Sequence, residues 1–516
     1  MGFMNLFKAF RGNDWGVHPD DRKRPAADAP TRVMPLPEAL YLPLQQHLGA
    51  PARPIVMVGQ TVKKGERIAD PAGMISAPIH APTSGTITAI TDITAPHPSG
   101  LTLSAIVLTP DGEDTWCELT PCDDPAALEP DEIARRVLDA GIVGLGGAAF
   151  PSAVKLGGAR KAGVHTLIIN GGECEPYLSC DDRQMRDYAT EVMDGIALML
   201  RATGAKTALV GIEDNKPEAI AAMTVAAQSQ PAVRICPVPA RYPMGSEKQL
   251  VGVLTGIEMP ADGLPADIGV VVHNVGTARA VRAAVVEGKP LISRIVTLNG
   301  NCMKSPGNIE VRLGTLAEAV IAYAGGLRGE GIGLARRVLG GPMMGMQVPH
   351  WRVPVVKGTS GILALDADEV AAQEPDPCIR CGSCVKACPA GLLPLEMSAR
   401  IRNDALADAV DIGLKDCIAC GCCAYVCPSK IPLVQYFVHA KGELAAQGRA
   451  KLRNDATKKL AEQKTARLER EKAEKAEAAA RRKAEREAKE REKKEAAEKA
   501  AAEKAAKAAA AQGADA

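Results

Sequence analysis

The chain has 516 residues, of which 46% are hydrophobic and only 3% aromatic. This length predicts three or four domains rather than one core. The formal net charge of +1 hides two unequal parts, because residues 449–516 hold 21 Lys and Arg against 14 Asp and Glu, which leaves 41 against 47 in residues 1–448. No stretch has the ~20 apolar residues of a transmembrane helix, so we expect a soluble or membrane-peripheral protein.

The first two regions contain none of the candidate site residues. Residues 1–29 are predicted to be a docking segment for a membrane surface or a partner subunit, since Phe3, Leu6 and Phe7 lie beside Lys8; terminal disorder is the alternative. Residues 30–125 read as short strands punctuated by Gly and Pro. The segments 58–66 and 75–87 within them resemble the barrel-sandwich hybrid of lipoyl and biotinyl carrier domains. The carrier lysine is missing, so we expect no lipoyl or biotinyl group.

Residues 126–290 alternate between helical and strand patterns. Helices are predicted at 131–140 and 217–227, and strands at 166–169, 208–212 and 268–273. This alternation favours a parallel sheet covered on both faces, a Rossmann-like fold. Such sheets bind nucleotides at the carboxyl ends of their strands.

Polar or glycine-rich segments stand at the predicted strand and helix ends of this region. The loop 144–155 is rich in Gly and precedes a helix, which favours an anion, although such a turn is often a mere connector. Asn170 and the acidic pair that follows it come directly after a strand and could bond a ribose or flavin, or could simply be solvated. The candidate ligand-binding residues are Gly144, Gly146, Gly147, Phe150, Lys155, Asn170, Glu173, Glu175, Glu247 and Asn274.

Residues 291–357 return to strand patterns, and the tail is strongly biased in composition. Strands at 295–300 and 309–315 predict a compact β-grasp module. From Arg449 to Gln512 there is neither Gly nor Pro, and a helix of that length would extend ~95 Å at about 1.5 Å per residue. We predict that residues 446–516 form a solvated helix or a disordered tail, with contact to anionic lipid or an acidic partner as the alternative.

The region 368–445 contains the most specific pattern, Cys-x2-Cys-x2-Cys-x3-Cys-Pro, twice. This run holds two [4Fe–4S] clusters in bacterial-type ferredoxins, and its fourth cysteine ligates the other cluster. We therefore assign one cluster to Cys378, Cys381, Cys384 and Cys427, and the other to Cys417, Cys420, Cys423 and Cys388. All-cysteine zinc sites are the alternative, but tetrahedral coordination does not require this spacing. Cys422 lies outside the pattern and is interpreted as a buried residue.

Several phrases of the chain resemble known proteins. GGAAFPSAVK, NGGECEP, YPMGSEKQL and VHNVGT are similar to phrases of the NADH- and flavin-binding subunit of respiratory complex I. The order of regions, the entry at 15–19 and the loop 340–345 resemble the RnfC subunit of the Rnf ion-translocating electron transport complex over residues ~15–440. Four positions depart from complex I: Leu145 replaces an arginine, Gly172 an aspartate, Ser246 a glutamate and His273 an asparagine.

The resemblance implies a multidomain α/β plus β protein. Its parts would be a barrel-sandwich hybrid, a Rossmann-like NADH/FMN domain, a β-grasp module of the SLBB type, a ferredoxin-like helical domain with two [4Fe–4S] clusters, and a long charged tail. It further implies that FMN is held by the Gly loop, Asn170 and Asn274, that NADH stacks on the flavin, and that no side chain acts as catalyst. The chain would be a peripheral subunit on the cytoplasmic face of the bacterial inner membrane.

The implied partners are other subunits of a membrane complex, among them an iron–sulfur subunit, with ferredoxin reached indirectly and no nucleic acid. Those subunits would move Na⁺ or H⁺ while this chain exchanges electrons with NADH. One rival is an electron-relay and docking scaffold whose nucleotide site has lost its function, which the departures at Leu145, Gly172 and Ser246 favour. A zinc-binding interaction module is the other.

Overall fold

The structure is a computed structural model and describes residues 15–261 and 263–512. The apolar start of the predicted docking segment therefore lies outside the described residues. The chain forms two compact units, residues 1–438 and 439–516. No helix in the described ranges is long and apolar enough to span a membrane.

Short strands make up the first part of the larger unit. They are β1 (Arg32–Val33), β2 (Leu40–Pro43), β3 (Arg53–Pro54), β4 (Thr61–Val62), β5 (Arg67–Asp70), β6 (Ile79–His80), β7 (Gly85–Thr94) and β8 (Thr102–Pro110). A four-stranded sheet in the order β2-β8-β7-β4 and a three-stranded sheet in the order β3-β5-β6 enclose buried Leu40, Ile68, Ile87 and Ile106. The Gly- and Pro-punctuated pattern predicted these short strands, and the resemblance to carrier domains predicted their arrangement as a sandwich.

A parallel sheet with its helices follows. The elements are α1 (Pro130–Asp139), α2 (Ser152–Lys161), β9 (Thr166–Gly171), α3 (Cys180–Asp187), α4 (Ala189–Thr203), β10 (Thr207–Glu213), α5 (Pro217–Ala227), β11 (Val233–Val238), α6 (Glu247–Thr255), β12 (Val270–Asn274) and α7 (Val275–Val286). The four strands lie in the order β11-β10-β9-β12. Successive residues of the strands face opposite cores, since Leu167 and Ile169 belong to one and Ile168 to the other. Both faces are therefore covered, as the alternating pattern predicted.

A six-stranded mixed sheet comes next. Its further elements are β13 (Ser293–Asn299), β14 (Gly307–Arg312), α8 (Ala317–Tyr323), β15 (Leu334–Leu339), β16 (Met346–Gln347) and β17 (Gly361–Asp366). The strands lie in the order β1-β14-β13-β17-β15-β16. The hairpin of β13 with β14 corresponds to the two strands predicted between residues 295 and 315. The sheet extends beyond the predicted limits of 291–357, because β1 joins one edge and β17 pairs with β13 and β15.

Short helices frame the cysteine motifs. They are α9 (Ala367–Val370), α10 (Ser383–Lys386), α11 (Pro394–Arg402), α12 (Leu406–Asp411) and α13 (Cys422–Tyr425), followed by α14 (Leu433–Gln512). Two of these helices, α11 and α12, lie between the two motifs. In the smaller unit the tail is helical as far as the description extends. Its side chains beyond residue 448 are exposed through residue 509, and (i, i+4) pairs such as Arg467 with Glu471 line its surface.

Candidate functional site

The Gly-rich loop before α2 is fixed from three sides. The Gly144 amide donates to the Phe150 carbonyl (2.8 Å) and closes the loop. The Leu145 amide donates to the Thr277 hydroxyl in α7 (2.9 Å), and Arg294 from β13 donates to the Leu145 carbonyl (3.0 Å). The loop is thus shaped by contacts from helix α7 of the parallel-sheet domain and from strand β13 of the mixed sheet, and is no free connector.

The middle of this loop presents exposed backbone. A Cβ atom at Gly146 would lie 2.8 Å from Nδ2 of Asn274, whereas one at Gly147 would meet nothing within 4 Å. Helix α2 begins at Ser152, whose buried hydroxyl has no hydrogen-bond partner among the described residues. Accessible backbone, a helix amino end and an unpaired hydroxyl together suit the phosphate of a nucleotide.

Two predicted residues meet across the edge of the sheet. Lys155 on α2 and Glu247 at the start of α6 form an ion pair of 2.7 Å. Their side chains are 31% and 41% exposed, so a ligand could reach both. The pair thus provides a hydrogen-bond donor and an acceptor at the end of the Gly-rich segment 144–155.

The two predicted asparagines lie side by side at the carboxyl ends of β9 and β12, where Asn274 pairs in register with Asn170. Asn170 donates to the Gly245 carbonyl (2.7 Å) and accepts from the Gly172 amide (2.9 Å). Asn274 caps α7 and donates to Asp181 (2.6 Å). Both amides therefore hold the surrounding loops, and their direct contact with a flavin stays a prediction.

Glu173 binds the protein itself. Its carboxylate accepts the amides of Asp181 (2.7 Å) and Asp182 (3.1 Å) and so caps the start of α3. Burial, followed by the nearby Glu173 charge, raises the pKa of Asp181 to about 7. A role of Glu173 in nucleotide binding would require the carboxylate to serve two partners.

Glu175 ties the sheet to the loop 340–345. It accepts the amides of Met343 (3.0 Å) and Met344 (2.7 Å). Burial raises its pKa to about 7, although these two amides act in the opposite direction. The carbonyls of both glutamate residues, 173 and 175, accept hydrogen bonds from the buried ammonium group of Lys23 (2.9 Å each), a residue that the motifs did not indicate.

The departures from the complex I phrases have structural reasons. The Leu145 side chain is only 7% exposed and packs in the core. A Cβ at Gly172 would lie 3.1 Å from both Cα of Gly245 and Oδ1 of Asn170, so an aspartate there would require these neighbours to shift by a few tenths of an ångström. Buried His273 has its pKa lowered to about 3 by burial and is neutral; its Nε2 is unpartnered within the described part of the chain.

The two cysteine motifs repeat each other in conformation. The amide two residues after the first cysteine contacts its sulfur in both, Arg380 to Cys378 and Ala419 to Cys417 (3.4 Å each). Arg380 and Ala419 adopt positive φ values of 56° and 54°. Amides directed at sulfur are characteristic of cluster-binding loops, whose hydrogen bonds tune the reduction potential.

One cavity gathers cysteines from both motifs. Apart from its cysteines it is lined mainly by apolar side chains such as Met397 and Phe437. The cysteines that line it are Cys388, Cys417, Cys420 and Cys423. This set is the crossed set predicted for the second cluster, and Cys422 is not in it. The cavity supports a cluster there, and the ligand assignment itself stays a prediction.

The two predicted cluster sites differ in exposure. Cys378 and Cys381 are exposed, whereas Cys420 and Cys423 are buried. We call the site of Cys378, Cys381, Cys384 and Cys427 the distal site, and that of Cys417, Cys420, Cys423 and Cys388 the proximal site. Proximal and distal refer to the parallel-sheet domain, on which the second motif packs directly through Cys420 and Cys422.

That contact is made by the loop and helix start at residues 242–249, which we call the bridging loop. The Tyr242 hydroxyl donates to the Cys420 carbonyl (2.7 Å), and the Gln249 amide donates to the Pro389 carbonyl (2.9 Å). The same segment contains Glu247 of the ion pair described above. Sequence patterns missed Tyr242 and Gln249 as site residues, since neither carries charge nor lies in a cysteine motif.

Family models match four parts of the chain. They are the RnfC barrel sandwich hybrid domain at residues 9–113, the Nuo51 FMN-binding domain at 137–283, the SLBB domain at 295–347 and the 4Fe-4S dicluster domain at 377–431. These matches bear out the predicted succession of domain types. They also support FMN and iron–sulfur clusters as cofactors.

Relatives cover most of the chain. It is 52% identical over 437 residues to the RnfC subunit of the ion-translocating oxidoreductase complex of Rhodobacter capsulatus, a match that spans 84% of each chain. It is 44% identical to the corresponding subunit of the proton-translocating ferredoxin:NAD(+) oxidoreductase complex of Clostridium ljungdahlii, over 86% of this chain and 95% of that protein. A chain of an NAD+-reducing [NiFe]-hydrogenase crystal structure aligns with 23% identity and a TM-score of 0.41, over 54% of each chain.

The relatives and the matched domains agree on one kind of protein. FMN-binding and 4Fe-4S domains in a single chain, together with this identity to named subunits, make it an electron-transport subunit of an ion-translocating oxidoreductase complex. The chain belongs to the RnfC family, whose members are subunits of the Rnf ion-translocating oxidoreductase complex.

Proposed function

We propose that this subunit exchanges electrons between NADH and ferredoxin by way of FMN and two [4Fe–4S] clusters. The observation that carries the proposal is the bridging loop. Its Glu247 belongs to the candidate nucleotide cleft, while its Tyr242 and Gln249 bond the segments that line the proximal cluster cavity. The contact of one short segment with both candidate redox sites supports electron transfer between them.

The candidate cleft fits a flavin nucleotide. The exposed backbone at 146–148 and the amino end of α2 suit its phosphate. Lys155 and Glu247 offer a cation and a carboxylate at the open side for ribose hydroxyls or the second nucleotide. Buried, neutral His273 offers, at the end of β12, a nitrogen that no described residue bonds.

Bound FMN would take the two electrons of a nicotinamide hydride and release them singly, as a [4Fe–4S] cluster requires. The protein needs no acid, base or nucleophile for this transfer. Its residues fix the Gly loop through Thr277 and Arg294 and orient the bridging loop through Asn170. Backbone amides of the cysteine motifs point at the cysteine sulfurs. The described site residues are in keeping with positioning as the main task.

The relative positions of the sites suggest a route. The proximal site lies against the bridging loop, and the distal site has exposed cysteines through which electrons could reach or leave another subunit. We assign ferredoxin-side exchange and Na⁺ or H⁺ translocation to other subunits. This chain would be their peripheral partner at the cytoplasmic face of the bacterial inner membrane.

The test is anaerobic purification followed by flavin and metal analysis and an NADH titration. We expect FMN, about eight irons per chain for two cubanes, and bleaching of the flavin and cluster absorbance by NADH with paramagnetic clusters in the EPR spectrum. A protein that binds FMN but shows no absorbance change with NADH would refute the proposed activity.

A second candidate is the electron-relay scaffold without a nucleotide site. It is favoured by the binding of Glu173 and Glu175 to backbone amides and by the tight packing around Gly172. It predicts clusters that dithionite reduces and NADH does not, even when FMN is added. The same titration therefore separates the two candidates.

A further inference from the structure

Tyr242 binds the protein segment that would carry the proximal cluster. Its side chain is almost completely buried, with 2% of its surface exposed. The hydroxyl donates 2.7 Å to the carbonyl of Cys420, and the Tyr242 carbonyl lies 3.9 Å from the sulfur of Cys422. The ring therefore packs against the middle of the second cysteine motif.

Gln249 makes the corresponding contact on the first motif. Its amide nitrogen donates 2.9 Å to the carbonyl of Pro389, the residue after Cys388. Of the four cysteines in the first motif, Cys388 alone lines the proximal cavity. The two hydrogen bonds thus reach the proximal site from both motifs.

The segment that supplies these donors is itself fixed at the candidate flavin cleft. Asn170 donates to the carbonyl of Gly245, and Lys155 pairs with Glu247 (2.7 Å each). Glu247 lies two residues before Gln249. A movement of the ion pair would therefore also move the hydrogen bond from Gln249 to Pro389. Such short covalent spacing fixes the separation between the two sites.

We propose that Tyr242 and Gln249 are positioning residues that clamp the proximal cluster at a fixed distance and orientation from the flavin. This proposal rests on the proposed function, because it assigns a role within the same electron route. Tyr242 and Gln249 do not exchange electrons or protons. They hold two backbone carbonyls, and through them Cys420 and Cys388, against the bridging loop.

A hydrogen bond to a backbone carbonyl beside a ligand also alters the cluster's surroundings. Loss of the hydroxyl or amide would remove a hydrogen bond from a buried backbone carbonyl next to a cluster ligand. Both hydrogen bonding and solvent exposure set cluster potentials. The clamp should therefore influence the proximal cluster and leave the exposed distal one almost unchanged.

The experiment compares Tyr242→Phe, Gln249→Met and the double variant with the full-length wild type. Tyr425→Phe is the matched control, because Tyr425 lies in the second motif and is 50% exposed. The first measurement is an EPR-monitored titration with a chemical reductant, which needs neither NADH nor flavin. The second is stopped-flow absorbance after mixing with NADH, which separates flavin bleaching from cluster bleaching.

We expect the double variant to shift the midpoint potential of one cluster and to slow cluster bleaching by roughly tenfold, since a displacement of ~1 Å can cost up to about a hundredfold in rate. Flavin content, flavin bleaching and the other cluster's potential should match those of Tyr425→Phe. Wild-type potentials and rates in the double variant would overturn the clamp, as would equal shifts of both clusters. Failure of NADH to bleach the wild-type flavin would instead refute the proposed function, while the chemical titration would still decide on the clamp.

Discussion

Replacement of Cys388 and of Cys427 by serine should have opposite consequences for electron flow, although each is the fourth cysteine of its motif. Cys388 lines the cavity that also contains Cys417, Cys420 and Cys423. Cys388→Ser should therefore lose the proximal cluster, and Cys427→Ser the distal one. Each variant should fall from about eight irons per chain to about four, because each cubane holds four.

The difference appears when NADH is added. Without the proximal cluster, electrons from the flavin have no adjacent acceptor, so the remaining cluster of Cys388→Ser should stay oxidised while its flavin is bleached. In Cys427→Ser the remaining cluster lies against the bridging loop and should be reduced at nearly the wild-type rate. Fluorescence or absorbance titration should show the same NADH affinity in both variants, since neither cysteine touches the candidate cleft.

The assay is iron analysis with EPR spectra recorded after NADH and after dithionite. Dithionite serves as the control for an intact cluster, because it reaches the exposed site without the flavin. Equal NADH reduction of the surviving cluster in the two variants would refute the order of the sites. Loss of all iron in both would refute independent clusters, and reversed behaviour would show that the ligands are not crossed.

Two further substitutions test the candidate nucleotide cleft and the buried Lys357, which joins Pro78 of the barrel sandwich to Gly141 before the Gly loop. Gly146→Ala should weaken FMN binding about tenfold, or ~1.4 kcal/mol, because the added Cβ would lie 2.8 Å from Asn274. A flavin fluorescence titration measures the affinity. The control is Gly158→Ala, whose added Cβ would meet nothing within 4 Å. Lys357 is completely buried and donates to the carbonyls of Pro78 (2.8 Å) and Gly141 (2.7 Å), and burial lowers its pKa to about 7. Its folded pKa lies below the ordinary lysine value of 10.5, so between those values the unfolded chain binds more protons and stability rises with pH, by at most about 1.4 kcal/mol per pH unit. Thermal unfolding at pH 7 and pH 9 should show this rise in the wild type and not in Lys357→Met, and parallel curves would contradict it.

The sequence predicted those parts that depend on local chemistry. The spacing of the cysteines, the Gly loop before a helix and the alternation of strands and helices each express a short-range rule, and the corresponding elements are present. The sequence named Lys155 and Glu247 separately, and only the structure showed that they form an ion pair. Resemblance added the flavin, which no pattern of residues alone would have specified.

Other features depended on contacts between distant segments. Glu173 and Glu175 stand together in one motif, yet one caps α3 and the other holds the loop 340–345. Nothing within the motif distinguishes them, because the deciding amides belong to residues 8 to 169 positions away. The strand β17 likewise joined a sheet whose limits the local pattern had placed earlier in the chain.

The amino-acid sequence by itself determined that this protein can hold clusters and a nucleotide, because ligand type and loop chemistry are local properties. Only the tertiary structure decided which cysteine motif packs with its middle on the bridging loop and which keeps exposed cysteines. Burial of Cys420 beneath Tyr242, against exposure of Cys378 in a nearly identical motif, results from packing on the bridging loop. The two copies of one motif thus differ in exposure, because Tyr242 covers the middle of the second motif whereas Cys378 and Cys381 of the first stay exposed.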